Sequence, residues 1–479
     1  MANNKKLVEQ ITSQEVDFAK WYTDVCLKAE LCSYSGVKGF VVMRPYGWAI
    51  WENIVSNFDN RLKSKGVTNV AMPILIPEHL LLKEKEHVEG FAPECAWVNQ
   101  GGGDELEEKF AVRPTSETLF CDYWRDNVKS YRDLPQLLCQ WCSVVRWEKE
   151  TRPFLRTREF FWQEGHTLHA TFEESFKFTL EMLNLYEEFI QNEIAIPVIK
   201  GKKTEKEKFA GAKSTYTVES IMKDGKALQS ATSHDFGDNF SKAFDIKFLD
   251  KNNELVYATE TSWGMSSRII GALIMVHGDD RGLKVPPHIA PIHVRIIPIR
   301  MSDDNNVAFA KKLYDTIKKS NIKVDIDLSD KTPGFKFAEC EMKGIPIRLE
   351  IGPKDIENDK CILVRRDTNE KIEVIINNVV FEITKLLEDI QQNMFNVAKR
   401  FLDEHIDTAT SKTEMIDKMN KKTGFIKAMH CGCEECEKTL KDEAGITSRC
   451  IPLEQTSVSD KCFICGKPAK YEVIWGKSY

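Results

Sequence analysis

The sequence predicts an α+β protein with three domains, and three changes of pattern along the chain support this prediction. In the first part, amphipathic helices and short β-rich runs follow each other without regular βαβ alternation, which is typical of helices packed on an antiparallel sheet. In the second part, strands and helices alternate regularly. The third part is rich in cysteine. The predicted domains are residues 1–285, 286–395 and 396–479.

The first domain is expected to combine long helices with a β-hairpin. Apolar residues recur at helical spacing over residues 48–62 and 172–190, which predicts two helices with one buried face each. Two β-rich runs, residues 137–147 and 158–167, flank a turn-forming segment. We therefore expect these two runs to pair as antiparallel strands.

The second domain is expected to be a small α/β unit with a mostly parallel sheet, because strand-like and helix-like segments alternate after Val285-Pro-Pro287. The predicted segments are a strand at residues 293–299, a helix at 307–319, a strand at 322–327, a helix at 336–342 and a strand at 347–351. A longer helix at residues 381–401 is predicted to lead into the cysteine-rich tail.

Composition limits the class of protein to which the chain can belong. Of its 479 residues, 42% are hydrophobic and 29% are charged, which suits two or three globular domains and not a disordered or fibrous chain. No apolar stretch approaches the ~20 residues that span a bilayer, and the start of the chain lacks an apolar signal core. We therefore expect a soluble, cytoplasmic protein that contacts no membrane.

Net charge and cysteine content limit the expected RNA contacts and the expected state of the cysteines. A formal net charge of -6 argues against a strongly basic surface, so any RNA contact is expected to come from local patches. The chain has 14 cysteines and no secretory signal. These cysteines are expected to be reduced thiols or metal ligands and not disulfides.

Three short motifs carry the chemistry of the first domain. They are Arg113-Pro-Thr-Ser-Glu117, Arg146-Trp-Glu148 with the following Arg156-Thr-Arg-Glu-Phe160, and Ser262-Trp-Gly-Met-Ser-Ser-Arg268. A guanidinium keeps its proton and presents a rigid fork of donors that matches phosphate oxygens. A lone arginine near a glutamate is more often a surface ion pair. The order and spacing of these arginines instead favour a phosphate-binding site.

Together the motifs resemble the active site of the class II aminoacyl-tRNA synthetases, and of the prolyl-tRNA synthetases in particular. The resemblance extends over essentially the whole chain. It implies a class II catalytic domain on an antiparallel sheet, an α/β anticodon-binding domain and a small C-terminal zinc-binding α/β domain. It also implies that the chain activates L-proline with ATP and Mg²⁺ to prolyl-adenylate and transfers the prolyl group to the 3′ end of tRNA(Pro).

The family pattern assigns roles to individual residues. Arg146 and Arg268 are expected to be catalytic: Arg146 clamps the α-phosphate and the substrate carboxylate, and Arg268 takes the γ-phosphate. The implied ATP-binding residues are Arg146, Glu148, Arg156, Thr157, Phe160, Gln229, Thr232, Ser266 and Arg268. The implied proline-binding residues are Thr115, Glu117, Arg146, Trp162, His166 and His234. Taken alone, Trp162 and His166 could equally be core residues on alternating strand positions.

Two stretches of the first domain are expected to add no further activity. The segment between Thr167 and Ser262 has room only for the expected helices and strands, whereas many bacterial prolyl enzymes insert a hydrolytic domain there. Hydrolysis of mischarged alanyl-tRNA is therefore not expected. The charged run Lys203-Thr-Glu-Lys-Glu-Lys-Phe209 is read as a solvated face, with at most a contact to ATP or RNA phosphates.

The cysteine tail predicts a structural zinc site. Cys431-Gly-Cys-Glu-Glu-Cys436 and Cys462-Phe-Ile-Cys465 form two close-spaced groups, which suit tetrahedral zinc. Spacing alone would pair Cys433 with Cys436. The family pattern instead implies Cys431, Cys436, Cys462 and Cys465 as ligands and leaves Cys433 and Cys450 free. Buried thiols without metal are the alternative.

The resemblance also implies contacts beyond the catalytic pocket. Thr332-Pro-Gly-Phe-Lys336 and Gly352-Pro-Lys-Asp355 resemble family landmarks of the anticodon-binding domain, which makes Phe335 and Lys336 candidate RNA contacts. The second run is equally an ordinary turn.

Lys477-Ser-Tyr479 resembles a family ending that approaches the active site. Residues 47–77 resemble the segment through which class II enzymes form homodimers, although its apolar stripe could be intramolecular core.

Two other functions fit parts of the same pattern. A related class II synthetase for threonine, glycine or histidine would share the arginine motifs, but Arg113-Pro-Thr-Ser-Glu117 and the zinc-tail pattern argue against it. A synthetase-like regulator would bind tRNA without charging it. Such regulators usually lose phosphate-binding arginines, whereas Arg146, Arg156 and Arg268 are all present.

Overall fold

A computed structural model of the chain describes residues 11–83 and 95–479. The strands are β1 (Cys32–Tyr34), β2 (Val41–Met43), β3 (Thr68–Asn69), β4 (Leu75–Pro77), β5 (Ala96–Gly101), β6 (Asp104–Val112), β7 (Gln136–Val145), β8 (Glu159–His169), β9 (Ile199–Lys202), β10 (Ser214–Ile221), β11 (Ala227–Gly237), β12 (Lys247–Leu249), β13 (Leu255–Tyr257), β14 (Thr259–Ser266), β15 (Val294–Pro298), β16 (Val324–Ile326), β17 (Ile347–Ile351), β18 (Lys360–Arg365), β19 (Lys371–Ile375), β20 (Ile406–Thr408), β21 (Phe425–His430), β22 (Thr447–Pro452) and β23 (Tyr471–Gly476).

Helices surround these strands. The α-helices are α1 (Phe18–Lys28), α2 (Pro45–Ser64), α3 (Glu78–Leu81), α4 (Glu117–Asn127), α5 (Phe172–Asn192), α6 (Asn239–Phe244), α7 (Arg268–His277), α8 (Asp304–Lys318), α9 (Pro333–Lys343), α10 (Pro353–Glu357), α11 (Val379–Glu404), α12 (Lys412–Lys421) and α13 (Glu434–Ala444). Short 3₁₀ turns cover Tyr131–Asp133, Pro287–Ile289 and Ile376–Asn378. Among the described residues, every helix is too short or too polar to cross a bilayer.

The first domain is built on an antiparallel sheet, which confirms the predicted α+β class. Its strands lie in the order β9-β10-β11-β14-β8-β7, and each neighbouring pair is antiparallel. The predicted hairpin is β7 and β8, with Val145 opposite Glu159. Between β8 and β14 the chain forms α5, strands β9 to β13 and α6. This segment therefore contains no inserted domain.

Helix α5 covers one face of this sheet. The Thr171 hydroxyl accepts a hydrogen bond from the Glu174 N–H at 3.2 Å and caps the helix start. One face of α5 is buried and contributes large side chains such as Tyr186 and Phe189 to the main core. On β11, Ser233 points to this helix and donates to the Thr179 carbonyl at 2.8 Å. Because successive strand residues face opposite ways, the neighbours of Ser233 point to the other face.

The apolar stripe of α2 belongs to the core of the same chain. Trp51, Ile54, Phe58 and Leu62 are buried in the main core cluster. Helix α2 itself begins with Pro45 at its first position, where a missing N–H does no harm. The stripe therefore stabilises the first domain and is not an exposed face for a second copy.

The sheet of the second domain is mixed, so the prediction of a mostly parallel sheet was wrong for its later strands. Strand β15 is parallel to β16 and β17, but β18 is antiparallel to both β17 and β19. The connections on either side of β18 are short. A parallel pair needs a crossover of a dozen or more residues, so these strands can only pair antiparallel.

The tail continues the sheet of the first domain. Strands β20, β21, β23 and β22 are neighbours, and β22 pairs with β9. Together with β3, which pairs in parallel with β7 at the opposite edge, they form one sheet of eleven strands. The pairing sets Pro452 opposite Gly201. A side chain at Gly201 would collide with the Ile451 carbonyl oxygen and with Cys450. Glycine therefore permits the close approach of the two strands.

A buried ion cluster lies beside this joint. Glu219 on β10 is completely buried. Its carboxylate accepts hydrogen bonds from Lys203 Nζ at 2.7 Å and from Arg449 Nε and Nη2 at 3.1 and 3.0 Å. Arg449 lies on β22, so one carboxylate of the first domain holds a cation of the tail. Burial raises the pKa of Glu219, but the two cations outweigh it and lower the pKa overall.

We expect Arg449→Met to destabilise the protein by about 3–5 kcal/mol, because it leaves a buried carboxylate without one of its partners. Thermal unfolding followed by fluorescence should show a melting temperature several degrees lower. Arg125→Met is the matched control, since Arg125 pairs with Asp122 at the surface and surface pairs contribute at most ~1 kcal/mol. Equal shifts in the two variants would contradict a structural role for the cluster.

Candidate active site

A pocket of about 170 Å³ opens on the face of the sheet opposite α5. Every residue predicted from the sequence to bind ATP or proline lines it. The lining residues are Thr115, Glu117, Arg146, Glu148, Phe154, Leu155, Arg156, Thr157, Phe160, Trp162, Glu164, His166, Phe209, Gln229, Ser230, Ala231, Thr232, His234, Ser262, Trp263, Gly264, Ser266 and Arg268. Three motifs that are far apart in sequence therefore meet in one cavity.

Strand alternation brings the motifs together. On β8, residues 160, 162, 164 and 166 share one face because side chains alternate along a strand. The strand pairing sets Ser262 of β14 between His166 of β8 and His234 of β11. The next row is Glu164, Gly264 and Thr232. The pocket floor is thus a grid of side chains from three adjacent strands.

A β-bulge adds Gln229 to this grid. Gln229 and Thr232 are three residues apart, so strict alternation would place them on opposite faces. The pairing of β10 with β11 sets Ala231 opposite Val218 but Gln229 opposite Glu219, so Ser230 is an extra residue. The bulge shifts the alternation of side chains along β11 by one residue, so Gln229 points toward the pocket.

One end of the pocket is strongly cationic. Arg146 Nε donates to the Pro114 carbonyl at 3.0 Å, and its guanidinium lies 5.3 Å from the centre of the Phe160 ring. Arg268 Nε donates to the Leu155 carbonyl at 2.9 Å. Burial, together with the charges of Arg146 and Arg156, lowers the pKa of Arg268 to about 10. Because like charges held close together repel each other, a bound polyanion would relieve this repulsion.

Arg156 lies at the exposed side of this end. Its Nη1 is 3.8 Å from the Glu148 carboxylate, and its side chain is about half exposed. Thr157 is buried, and its hydroxyl donates to the Glu159 carbonyl at 2.6 Å. Ser266 accepts a hydrogen bond from the Arg268 N–H at 3.3 Å. Arg113 lies outside the pocket and donates to the backbone carbonyls of Ser143 and Met72.

The other end of the pocket is acidic and aromatic. The Thr115 hydroxyl donates to the Glu117 carboxylate at 2.5 Å. The His166 ring stacks on Phe120, with ring centres 4.2 Å apart. Trp162 lies between this end and Arg146, whose guanidinium is 5.5 Å from its ring centre. A small cation with an apolar body fits between the carboxylate and the flat rings.

The sequence did not predict a role for Glu164, which organises the acidic end. Its carboxylate accepts hydrogen bonds from the Ser116 hydroxyl and the Gln140 amide, both at 2.6 Å, and from His166 Nε2 at 3.0 Å. Burial lowers the pKa of His166, but Glu164 and the nearby Glu117 outweigh it and raise the pKa overall. The alternation of Trp162, Glu164 and His166 on β8 was the signal that could have identified it.

His234 is held as a neutral ring. Its Nδ1 is 3.0 Å from the Thr215 hydroxyl, and burial lowers its pKa to about 3. The Phe209 ring packs against it at 4.5 Å between ring centres. The charged run that ends at Phe209 therefore contributes one aromatic side chain to the pocket.

The cysteines of the tail form a group that suits zinc. The Cys431 sulfur is 3.9 Å from that of Cys436 and 3.7 Å from that of Cys465. For Zn–S bonds of about 2.3 Å, a tetrahedron of sulfurs has edges of about 3.8 Å. Cys462 joins the group, because donor atoms of His430, Cys431, Cys436 and Cys462 lie within 4.8 Å of one another.

His430 is a rival for the fourth ligand position that the sequence did not suggest. It is buried, and within residues 11–83 and 95–479 its Nε2 has no hydrogen-bond partner. Cys433 is exposed and Cys450 is buried in a different cluster, with Ile474 and Phe425. Neither cysteine belongs to the metal-binding group.

Phe335 and Lys336, the two residues predicted to contact RNA, differ in their exposure to solvent. Phe335 lies in the first turn of α9 and is 42% exposed. Lys336 is buried, and its Nζ donates to the Asp327 carbonyl at 2.9 Å and lies 3.5 Å from the Asp327 carboxylate. Direct RNA contact does not fit Lys336, because its charge is already paired inside the domain. The Gly352 N–H donates to the Asp355 carboxylate at 2.7 Å, as in an ordinary helix start.

Comparison with protein families matches most of the chain. Residues 97–277 match the tRNA synthetase class II core domain (G, H, P, S and T). Residues 293–386 match an anticodon binding domain, and residues 413–479 match the C-terminal domain of prolyl-tRNA synthetase.

Curated relatives match this chain over its full length. The proline--tRNA ligase of Clostridium novyi (strain NT) is 58% identical, and that of Ruminiclostridium cellulolyticum is 57% identical, each covering 100% of both chains. Among solved structures, prolyl-tRNA synthetase from Cryptosporidium parvum complexed with halofuginone and AMPPNP is 39% identical. The match has a TM-score of 0.95 and covers 99% of this chain and 100% of that chain.

We expect the purified protein to contain one zinc ion per chain. Replacement of Cys431, Cys436, Cys462 or Cys465 by serine should remove the zinc and lower the melting temperature, because a structural site contributes directly to folding. Metal content measured by mass spectrometry checks this.

Cys433→Ser and His430→Gln are the matched controls and should keep the zinc. Zinc lost from His430→Gln but kept in Cys465→Ser would make His430 the fourth ligand. Wild-type protein without zinc, whose melting temperature does not respond to a chelator, would contradict the site altogether.

Proposed function

This chain belongs to the prolyl-tRNA synthetase family of class II aminoacyl-tRNA synthetases, and we propose that it is a proline–tRNA ligase. It activates L-proline with ATP and then transfers the prolyl group to the 3′ end of tRNA(Pro). One observation carries the proposal: a pocket with three arginines at one end has a buried acidic and aromatic end of the right kind for a small cyclic amine. The relatives named proline--tRNA ligase support it over the entire chain.

Proline is proposed to bind with its ammonium toward Thr115 and Glu117. The carboxylate offers a charge-assisted hydrogen bond, which is stronger in a desolvated pocket than in water. The flat rings of Trp162 and His166 form the walls of the proline site, and we expect them to exclude larger side chains. Glu164 acts indirectly, because it fixes the orientation of His166.

ATP is proposed to bind along the cationic end. Arg146 reaches both the α-phosphate and the proline carboxylate, and Arg156 and Arg268 reach the outer phosphates. Mg²⁺ would be held beside them by Glu148 and Gln229, which line the pocket and carry the oxygen ligands that Mg²⁺ prefers. When bound, Mg²⁺ neutralises phosphate charge.

The first step needs positioning more than proton transfer. A carboxylate oxygen of proline attacks the α-phosphorus of ATP, and the bond to the departing pyrophosphate breaks. The nucleophile is already an anion, so the protein must align two negative groups and stabilise the charge that develops. In the second step, a hydroxyl of the tRNA 3′ end attacks the prolyl carbonyl and AMP leaves.

Residues outside the pocket are proposed to bring tRNA(Pro) to the enzyme. The second domain reads the anticodon, with the exposed Phe335 ring as a surface on which a base can stack. A zinc ion held by Cys431, Cys436, Cys462 and Cys465 would be structural, because four protein ligands would leave no position for a reacting group. Because tRNA charging supplies ribosomes, we infer that the protein works in the cytoplasm.

A homodimer is proposed around the small sheet of β4, β6 and β5. Ile74, directly before β4, is 53% exposed, and Leu82, directly after α3, is 55% exposed. Helix α3 packs against β4 and α4, so these side chains lie on neighbouring elements. A contiguous exposed apolar patch commonly marks an interface, and the proposed dimer makes Ile74 and Leu82 parts of one such patch.

The exchange of pyrophosphate into ATP tests the proposed function. Purified protein with Mg²⁺, ATP and each of the twenty amino acids in turn should give the highest exchange with proline. Strongest exchange with threonine, glycine or histidine would identify a different synthetase. A folded protein that binds tRNA but gives no exchange with any amino acid would be a non-catalytic relative.

Arg146→Ala is expected to reduce proline-dependent exchange by at least about 100-fold, because it removes a donor aimed at the charge that develops on the α-phosphate. The melting temperature should change little. Arg132→Ala is the control, since Arg132 is exposed and does not line the pocket. A fully active Arg146→Ala enzyme would exclude Arg146 from the adenylation step.

The proposed dimer should have twice the mass of one chain by light scattering at micromolar concentration. Ile74→Lys combined with Leu82→Lys should shift the protein to the mass of one chain, since charges would be buried at the interface. Leu255→Lys changes another exposed leucine, on β13, and should leave the dimer intact. A wild-type protein with the mass of one chain would disprove the dimer.

A further inference from the structure

A second cavity lies beside the active-site pocket. Its volume is about 300 Å³, and Leu155, Arg156 and Arg268 line both cavities. These three residues therefore form the partition between the two spaces. The second cavity is bounded on its other side by Lys226 and Leu228 of the β10–β11 hairpin and by Tyr479.

Four cationic side chains line this second cavity: Arg152, Arg156, Lys226 and Arg268. Glu150 is the one acidic residue among its lining side chains in the described part of the chain. Arg156 lies 3.8 Å from the Glu148 carboxylate and Lys226 lies 3.2 Å from that of Asp224, whereas Arg152 forms no ion pair within residues 11–83 and 95–479. A cavity with an excess of positive charge and an unpaired arginine favours an anionic occupant.

The cation of Lys226 is held in place by its neighbours. Its Nζ is 3.2 Å from the Asp224 carboxylate and 4.9 Å from the centre of the Tyr479 ring. The Tyr479 hydroxyl donates to the same carboxylate at 2.6 Å. The Asp224 carboxylate therefore interacts with both Lys226 and Tyr479. The Tyr479 ring also limits the movement of the Lys226 side chain.

We propose that this second cavity binds the pyrophosphate released by adenylation and is the route by which it leaves. This inference rests on the proposed function. After the first step, prolyl-adenylate still fills the first pocket and waits for tRNA. Pyrophosphate carries several negative charges and starts next to Arg156 and Arg268, the two arginines that reach both cavities. Arg152 and Lys226 then offer the next cationic positions.

The shape of the second cavity suits release. Leu155 in the partition and Leu228 on the other side of the cavity are buried, whereas Glu150, Thr151 and Ser478 at the rim are exposed. The cavity therefore leads from the partition to solvent. The negative charge of Glu150 at the mouth opposes long retention of an anion.

The test compares Arg152→Met/Lys226→Met with a double variant of equal charge, Lys149→Met/Lys251→Met, whose lysines are exposed and line neither cavity. By microscopic reversibility, an exit site is also the entry site for pyrophosphate in the reverse reaction. The first variant should raise the KM for pyrophosphate about tenfold in exchange. The single-turnover rate of prolyl-adenylate formation and its dependence on ATP should stay within about twofold of wild type.

The control variant should match wild type in both assays. An unchanged KM for pyrophosphate in Arg152→Met/Lys226→Met would overturn the proposal. So would an equal rise in the ATP concentration needed for adenylate formation, because the residues would then belong to the ATP site.

A direct binding measurement separates this proposal from the proposed function. Calorimetric titration of the enzyme with methylenediphosphonate needs no catalysis. Wild type should bind one equivalent, and Arg152→Met/Lys226→Met should bind at least tenfold more weakly than the control. Equal binding by both variants would overturn the second site. Wild-type enzyme that forms no prolyl-adenylate would instead refute the proposed function.

Discussion

The alternation of side chains on three adjacent antiparallel strands is the constraint on which the site depends. Strands β8, β14 and β11 place every second residue on the face opposite α5. A shift of one residue in either pairing would turn the pocket side chains into the helix layer. The helix layer prevents such a shift, because it buries the other face of the same strands: Ser233 contacts α5 while Thr232 and His234 line the pocket.

The two ends of the pocket carry opposite charge: one end is lined by arginines and the other by carboxyl groups. At the cationic end, three arginines lie close together, and burial with the charges of Arg146 and Arg156 lowers the pKa of Arg268, so the pocket favours phosphates. At the acidic end, carboxylates are crowded in a buried space. Burial raises the pKa of Glu260 to about 7, while Glu164 stays ionised because Ser116, Gln140 and His166 donate to it. At Glu164, the hydrogen bond and charge of His166 and the donors Ser116 and Gln140 outweigh burial and lower the pKa, whereas burial prevails at Glu260.

The residues that the sequence assigns to one site lie together in one pocket because each motif is local and its spacing encodes a strand face, and their roles in binding stay predictions. The pair Gln229 and Thr232 is instructive, since its spacing of three residues makes sense only with the bulge at Ser230. Glu164 was missed because it contributes through other side chains. Lys336 was misjudged because burial depends on packing partners that are distant in sequence, here the loop at Asp327. The mixed sheet was missed because its antiparallel strands follow the last predicted strand.

The joint between β22 and β9 could not be read from the sequence either, since neither strand has a local signal for its partner. It nevertheless connects the cysteine cluster to the pocket. Cys436 is followed by Glu437, whose carboxylate accepts hydrogen bonds from Ser448 on β22 at 2.7 Å and from Thr204 after β9 at 3.0 Å. Strand β9 pairs with β10, and β10 holds the bulge that orients Gln229. A metal ion that fixes Cys436 therefore also fixes the outer strands of the catalytic sheet, so the tail acts as part of the scaffold of the active site.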